Sequence, residues 1–165
     1  MSNRRYITSE VKQAAIQEII DFIKYSSEQC QARGWSYFAT DNAPEGFKAL
    51  KEQTVNKCIP IANYGCDTTI YQCNETNILF RFYHDVTHLE LNQGFSKSGE
   101  YAVIDQHIEE FKAWGASNLA LEIFSHDTHG QVDYYFKHKA FIDNQAAFVD
   151  SCLSHGRQYA LKVKH

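Results

Sequence analysis

Apolar residues recur at three- and four-residue intervals along most of this chain, and that periodicity restricts the fold more than any other feature of the sequence. In the first long segment, residues 9–33, the repeating side chains are Val11, Ala15, Ile16, Ile19, Ile20 and Ile23. This spacing predicts an amphipathic helix that Ser9 can cap and Gly34 can end. Only two prolines interrupt the 165 residues, so long helices meet few breakers.

Similar spacing recurs in the middle of the chain. Pro44 can occupy the first turn of a shorter helix, whereas Pro60 and Gly65 predict an ordered loop over residues 58–73. Segment 74–89 places its apolar side chains within an arc of about 100° on a helical wheel. Its residues also alternate in a way that permits a strand, but the continuous arc favours a helix.

Turn and capping residues divide the second half into further helices. Ser98 and Ser117 are the expected N-caps of two helices, and Gly115 separates them. A last helix is expected over residues 142–154. We therefore predict an all-α fold, a single compact bundle of five or six helices forming one domain over residues 1–165.

Composition and charge exclude several classes of protein. The chain is 44% hydrophobic and 14% aromatic, which argues against intrinsic disorder. Acidic residues outnumber basic ones by 20 to 16, so no basic surface for nucleic acid is expected. No run approaches the roughly 20 apolar residues of a membrane span. The polar N-terminal segment and five scattered cysteines are typical of a cytoplasmic protein with reduced thiols.

Two histidines one helical turn apart carry the main functional signal. On a helix His84 and His88 lie about 40° apart, and Asp85 lies about 60° from His88. Glu100 follows His88 after eleven residues, in the first turn of the next predicted helix. Imidazoles combined with carboxylates suit Zn²⁺ or Fe²⁺. The sequence therefore predicts a metal site formed by His84, Asp85, His88 and Glu100.

Each of these residues also has an ordinary structural explanation. Arg81 stands four residues before Asp85 and can form an ion pair with it. Glu100, near a helix N-terminus, interacts favourably with the helix dipole. The two histidines can be hydrogen-bonded side chains without a metal, so a polar cluster remains an alternative.

The pattern HDxxH, eleven residues and Glu resembles the metal-ligand motif of the coenzyme Q biosynthesis protein family, with matches at His84, Asp85, His88 and Glu100. The resemblance implies an all-helical fold and a role in removing and replacing the C1 carboxyl group of a quinone head-group precursor. Residues 80–88 are also similar to uncharacterised proteins of bacterial plasmids and gene cassettes. The HD phosphohydrolase pattern is disfavoured, because it requires an upstream histidine and none precedes His84.

A second polar stripe lies on the predicted helix that follows Ser117. Glu122, His126, His129 and Asp133 fall within about 60° of one another on that helix. A solvated helix face is one explanation for such a stripe. Glu122 and His126 are the better candidates for general acid–base catalysis, because their apolar neighbours indicate partial burial.

These patterns lead to two hypotheses of function. The first is a metal-dependent enzyme, of lyase or hydrolase type, that acts on a small aromatic or apolar molecule. The second is a non-catalytic protein of a bacterial mobile element, in which the cluster holds a structural metal or a polar network. A closed site with four protein ligands would favour structure, and an open position beside a pocket would favour catalysis.

Overall fold

The computed structural model describes residues 7–165, which form seven helices and two strands. The helices are α1 (Ser9–Ala32), α2 (Phe47–Gln53), α3 (Asn74–Leu91), α4 (Lys97–Trp114), α5 (Asn118–His138), α6 (Gln145–His155) and α7 (Arg157–Ala160). The strands are β1 (Ser36–Thr40) and β2 (Cys58–Ala62). The prediction of a mainly helical chain is confirmed. Among the described residues, no helix is both long and apolar enough to cross a membrane.

The two strands correct the prediction of an all-α bundle of five or six helices. β1 and β2 pair in parallel, with Phe38 opposite Pro60, and α2 lies between them in the chain. The three central residues of β2 are buried. A buried strand of a parallel sheet reads as a continuous apolar run and lacks the two-residue alternation that identifies strands in a sequence. For that reason the pattern of residues 58–73 predicts a loop where β2 lies.

Of the two N-caps predicted for α4 and α5, the structure confirms one and replaces the other. The side chain of Ser117 accepts a hydrogen bond from the Ala120 amide over 3.2 Å, which confirms the predicted cap of α5. α4 begins two residues earlier than a cap at Ser98 predicts, and the Gly99 amide donates to Ser96 over 3.2 Å. The cap of α4 is therefore Ser96, not Ser98.

The C-terminal helices also depart from the predicted segment 142–154. α6 begins at Gln145, where the Asn144 side chain accepts a hydrogen bond from the Ala147 amide over 3.0 Å. α7 has four residues, too few to produce a periodic pattern. The helix count consequently rises to seven within residues 7–165.

The chain divides into two compact units. The first, called the sheet unit, comprises residues 20–67 and 71–103. The second, called the C-terminal unit, comprises residues 68–70 and 104–165 together with the chain up to residue 19. α1 and α4 each contribute residues to both units. The single domain expected from the length remains a prediction.

Aromatic contacts hold α3 in the sheet unit. Phe82 packs against Tyr37 of β1 with ring centroids 4.7 Å apart, and Tyr83 meets Phe22 of α1 edge-on at 5.9 Å. Phe82 and Val86 are fully buried. Burying side chains of this size contributes about 1.5–3 kcal/mol each. This packing sets the rotation of α3 about its axis and hence the direction of its polar face.

Candidate metal centre

Two histidines of α3 and one glutamate of α4 meet in the sheet unit. His84 and His88 lie one turn apart on α3, as their spacing predicts. The helix ends where Asn92 adopts a left-handed conformation with φ of 50°, and the Gln93 amide donates to the His88 carbonyl over 3.0 Å. After this short connection Glu100 arrives in the first turn of α4, with its carboxylate against both imidazoles.

The three donor atoms form a nearly regular triangle. The Nε2 atoms of His84 and His88 are 3.1 Å apart, and Oε2 of Glu100 lies 3.1 Å from the first and 3.4 Å from the second. These three atoms are close enough together to be ligands of one cation, since zinc–ligand distances are about 2.0–2.1 Å. Residues 7–165 contain many side chains that can bind a metal (His, Cys, Asp and Glu). Among them, His84, His88 and Glu100 are the group whose donor atoms lie close enough together to hold an ion.

A backbone carbonyl fixes the orientation of the His88 ring. Nδ1 of His88 lies 2.8 Å from the carbonyl oxygen of Gln93, which can only accept a hydrogen bond. Nδ1 therefore carries the proton, and the lone pair of a neutral ring is left on Nε2, facing His84 and Glu100. His88 is fully buried, so its ring has little freedom to turn away. A second group that holds the outer nitrogen in this way is typical of metal-binding histidines.

The charges in the cluster require a proton or a metal cation between the two imidazoles. Burial raises the pKa of Glu100, but hydrogen bonds with His84 and His88 outweigh burial and lower it to about 2. Burial lowers the pKa of His88, but the hydrogen bond and negative charge of Glu100, the Gln93 carbonyl and the charge of Asp85 together outweigh burial and raise it. Two Nε2 lone pairs facing each other at 3.1 Å would repel, so a proton or a metal cation must lie between them.

Asp85 is placed differently from the three converging residues. It lies next to His84 on α3, and burial raises its pKa to about 6. It does not belong to the group of converging donors. Arg81 donates to the carbonyl oxygens of Ala62 and Tyr64 over 2.8 and 2.7 Å, so these hydrogen bonds go to the end of β2 and the segment after it. A role for Asp85 as fourth ligand or orienting group stays a prediction.

Three half-buried phenylalanines surround the imidazoles. Phe80 stacks on His84 with ring centroids 5.5 Å apart, and Phe95 meets His88 edge-on at 4.8 Å. Phe47 of α2 lies 6.3 Å from His88. Apolar walls lower the local dielectric constant and strengthen electrostatic interactions with any charge held there.

Sequence reasoning missed part of this environment. The Gln93 carbonyl is a backbone group, so its role cannot be predicted from the residue type. Phe47 belongs to a distant segment whose approach depends on the parallel sheet. Phe95 did leave a signal, since it is a lone aromatic residue in the otherwise polar connection between the two ligand-bearing helices.

The two residues proposed as catalytic belong to the C-terminal unit. Glu122 and His126 lie one turn apart on α5, with carboxylate and Nε2 atoms 3.9 Å apart. Nδ1 of His126 accepts a hydrogen bond from Nε of Arg157 over 3.3 Å. Burial, followed by the positive charge of Arg157, lowers the pKa of His126 to about 4. Catalytic roles for Glu122 and His126 stay predictions.

Comparisons with known proteins add no relative to this geometry. No family model, curated protein or solved structure matches the chain. The resemblance to the coenzyme Q biosynthesis family therefore stays a prediction that rests on residues 84–100. The site has to be interpreted from its own atoms.

Proposed function

We propose that this protein binds one divalent transition-metal cation, zinc or ferrous iron, through His84, His88 and Glu100. The observation that carries the proposal is the triangle of two Nε2 atoms and one carboxylate oxygen, with sides of 3.1 to 3.4 Å. The Gln93 carbonyl supports it, because it holds the lone pair of His88 toward the other two donors.

The choice of metal follows from the donor atoms. The cluster offers nitrogen and oxygen ligands and no sulfur. Two imidazoles and a carboxylate are a donor set for zinc and for non-haem ferrous iron, whereas calcium and magnesium favour oxygen ligands alone. The short sides of the triangle favour a small ion bound by all three atoms at once.

We further propose that the metal site serves an enzyme that acts on a small aromatic or apolar molecule. Three protein ligands leave at least one coordination position for water or substrate. When bound, the cation supplies Lewis acidity to a group placed there. Phe47, Phe80 and Phe95 supply apolar contact area for the substrate. The motif-level resemblance to a family that acts on an aromatic carboxylic acid is consistent with this substrate class.

The second candidate is a structural metal site. It is favoured by the complete burial of His88 and by the way the cluster joins α3 and α4 across a five-residue connection. In that case Asp85 would complete a closed set of four ligands. Removal of a structural metal would unfold the sheet unit, whereas removal of a catalytic metal would leave the helices intact.

Metal analysis of the purified full chain tests the site itself. The protein is purified without chelators, loaded with zinc or ferrous iron and passed through a desalting column before elemental analysis. We expect about one metal per chain, and loss of most of it in His84→Ala and His88→Ala. His155→Ala, a change of an exposed histidine outside the cluster, is the control and should retain the metal.

Two results would contradict the proposal. One is a wild-type protein that retains no metal after loading. The other is a His88→Ala variant with the same metal content as the control. Circular dichroism before and after chelation then separates the two roles, because a catalytic site leaves the helical signal unchanged.

A further inference from the structure

A chain of hydrogen bonds crosses the C-terminal unit outside the metal centre. Oγ of Ser125 lies 3.2 Å from Nδ1 of His129, and Nε2 of His129 lies 2.8 Å from Oδ1 of Asp105. A guanidinium nitrogen of Arg157 donates to Oγ of Ser125 over 2.7 Å. These side chains come from α5, α4 and α7, and all of them belong to the C-terminal unit.

The direction of each hydrogen bond follows from the chemistry of its ends. An ionised Asp105 can only accept, so Nε2 of a neutral His129 carries the proton. Nδ1 of that ring is then an acceptor, and the hydroxyl of Ser125 is the group that donates to it. Arg157 can only donate, so it occupies a lone pair of the serine oxygen. Every bond in the chain thus favours moving the hydroxyl proton from Ser125 to His129.

Local helix geometry explains how the serine and the histidine meet. Ser125 and His129 are four residues apart on α5, and helical side chains lean toward the N-terminus of their helix. The His129 ring therefore reaches back over Ser125 and presents Nδ1, the nitrogen nearer to its own backbone. Asp105 on the neighbouring α4 is left to engage the outer nitrogen, Nε2.

The surroundings suit a base that is neutral near pH 7. Burial lowers the pKa of His129, and the positive charge of Arg157 lowers it too, while the carboxylates of Asp105 and Asp133 raise it; the net shift is downward. The Asp105 side chain is 66% exposed, so this end of the chain opens to solvent. Ser125 is half-buried.

We propose that Ser125 is a nucleophile toward small activated carboxylic esters, with His129 as its general base, Asp105 as a positioning residue and Arg157 stabilising the negative charge that develops on the serine oxygen. This activity is separate from metal binding, because none of these residues belongs to the metal cluster. A nucleophile hydrogen-bonded to a base, which is itself oriented by a third group, is the arrangement that activated serines share.

The reaction balances with water as the second substrate. Oγ of Ser125 attacks the carbonyl carbon of the ester while its proton passes to Nδ1 of His129. The bond to the leaving alcohol breaks, and the alcohol takes that proton. Water then attacks the acyl carbonyl carbon while Nδ1 of the neutral His129 takes one of its protons, and that proton passes to Oγ of Ser125 as the acyl–serine bond breaks. The products are the carboxylic acid and the free serine hydroxyl.

Labelling with a fluorophosphonate probe tests the nucleophile directly. The serine oxygen forms a bond to phosphorus, fluoride leaves, and His129 accepts the hydroxyl proton. We expect the full chain to take up one label, located at Ser125 by peptide mass spectrometry, and Ser125→Ala to take up none. Ser154→Ala, a change of an exposed serine, is the control and should be labelled like the wild type.

The rate of labelling tests the roles of the partners. His129→Ala should be labelled about 100-fold more slowly, because general base catalysis is typically worth that factor or more. Asp105→Asn should slow labelling about tenfold, since an exposed carboxylate orients and polarises the ring only weakly. Circular dichroism checks that each variant is folded.

The wild-type protein supplies a test that needs no variant. The labelling rate should be constant near neutral pH and fall only below the ordinary histidine pKa of about 6.5. The charged groups that act on His129 are Asp105, Asp133 and Arg157. Chelator should leave the labelling rate unchanged, which separates this activity from the metal centre.

Three results would overturn the proposal. The first is a folded wild-type protein that stays unlabelled at a probe concentration that fully labels a reference serine hydrolase. The second is labelling of other serines at the same rate as Ser125. The third is an unchanged labelling rate in His129→Ala.

Discussion

The polar faces of α3 and α5 both carry histidine near a second polar residue one turn away, yet the two helices use them differently. On α3, His84 and His88 point their Nε2 atoms at each other and at a single glutamate oxygen. On α5, His126 faces Arg157 and His129 faces Asp105. Histidines three or four residues apart on a helix therefore form a convergent donor set in one unit and separately partnered rings in the other.

This difference shows how much of a site can be predicted from helical spacing alone. Four-residue spacing brings two side chains to one face of a helix, but it does not decide what lies opposite them. On α3 the opposite group is Glu100, which follows after a short connection and places one carboxylate oxygen within 3.4 Å of both Nε2 atoms. On α5 the opposite groups come from α4 and α7 and carry opposite charges, so each ring has its own partner.

The largest expected effect is the change in the free energy of unfolding when metal is added, and it distinguishes the histidines of α3 from those of α5. Zinc should raise the free energy of unfolding of the wild-type chain by about 4 kcal/mol when free zinc exceeds its dissociation constant a thousandfold. His88→Ala should lose this increment, because one corner of the donor triangle is gone. His129→Ala should keep it. Urea unfolding of the full chain, with and without zinc, measures each increment.

The comparison fails if His129→Ala loses the zinc increment and His88→Ala keeps it. That outcome would place the metal on the α5 face. Equal increments in all three proteins would mean that zinc binds elsewhere on the chain.

A second prediction concerns stability in acid, and it also distinguishes the two faces. His126 has a folded pKa of about 4, below its ordinary value of 6.5, so it favours the folded state when neutral. Its contribution is fully present above pH 6.5 and is lost as the pH falls toward 4, with a total of about 2–3 kcal/mol. Glu100, with a pKa of about 2 against an ordinary 4.5, loses its contribution only between pH 4.5 and 2.

His126→Gln isolates the upper of these two pH ranges. In the metal-free protein, the loss of stability between pH 6.5 and 4 should be smaller in the variant than in the wild type, and the change below pH 4.5 should be the same in both. His129 adds to the loss because burial lowers its pKa, whereas Asp85, whose pKa burial raises to about 6, favours the folded state as the pH falls; both proteins share these two effects. Unfolding curves at half-unit pH steps measure both ranges. An unchanged slope between pH 6.5 and 4 would contradict the lowered pKa of His126.

The sequence predicted most where the signal is local. The periodic apolar residues predicted α1 and α3 to within two residues, because both helices are long and amphipathic, and Ser117 predicted the start of α5. The spacing of His84 and His88 predicted that they share a face, since that depends on helix geometry alone. Glu100 could be predicted as part of the cluster because only a short connection separates it from His88.

The sequence predicted least where distant segments meet. β1 and β2 pair across α2, and neither strand shows the alternation of a half-buried strand. Asp105 and Arg157 approach α5 from other helices, so no spacing within α5 indicates them. Gly130 shows the same limit: it looks like a weak point in a helix, but a Cβ atom there would lie 2.7 Å from the Phe148 ring, so close packing requires the glycine.

A third prediction compares two glycines, one in each unit. In Gly99→Ala the new Cβ would collide with the carbonyl oxygen of Gly94, and in Gly130→Ala it would collide with Phe148. Each change should lower the free energy of unfolding by about 1–3 kcal/mol. Only Gly99→Ala should also weaken metal binding, because Glu100 is the next residue. Isothermal titration with zinc measures that difference. Equal zinc affinities in the two variants would show that the start of α4 does not position Glu100.

The smallest expected effect tests the corrected start of α4. Ser96→Ala removes the hydroxyl that accepts from the Gly99 amide and should cost about 1 kcal/mol. Ser98→Ala should change the free energy of unfolding by less than about 0.5 kcal/mol, because it is a surface substitution outside the cap. Urea unfolding of the two variants is the measurement, and a larger loss in Ser98→Ala would restore Ser98 as the cap.

X-ray absorption at the metal edge of the zinc-loaded full chain tests the central claim most directly. Two imidazole rings and a carboxylate oxygen predict nitrogen and oxygen scatterers at about 2.0–2.1 Å, with the outer-shell pattern of histidine and no sulfur. His88→Ala should retain too little zinc after desalting to give this spectrum. A sulfur scatterer at about 2.3 Å, or an absence of imidazole scattering, would contradict metal binding by His84, His88 and Glu100.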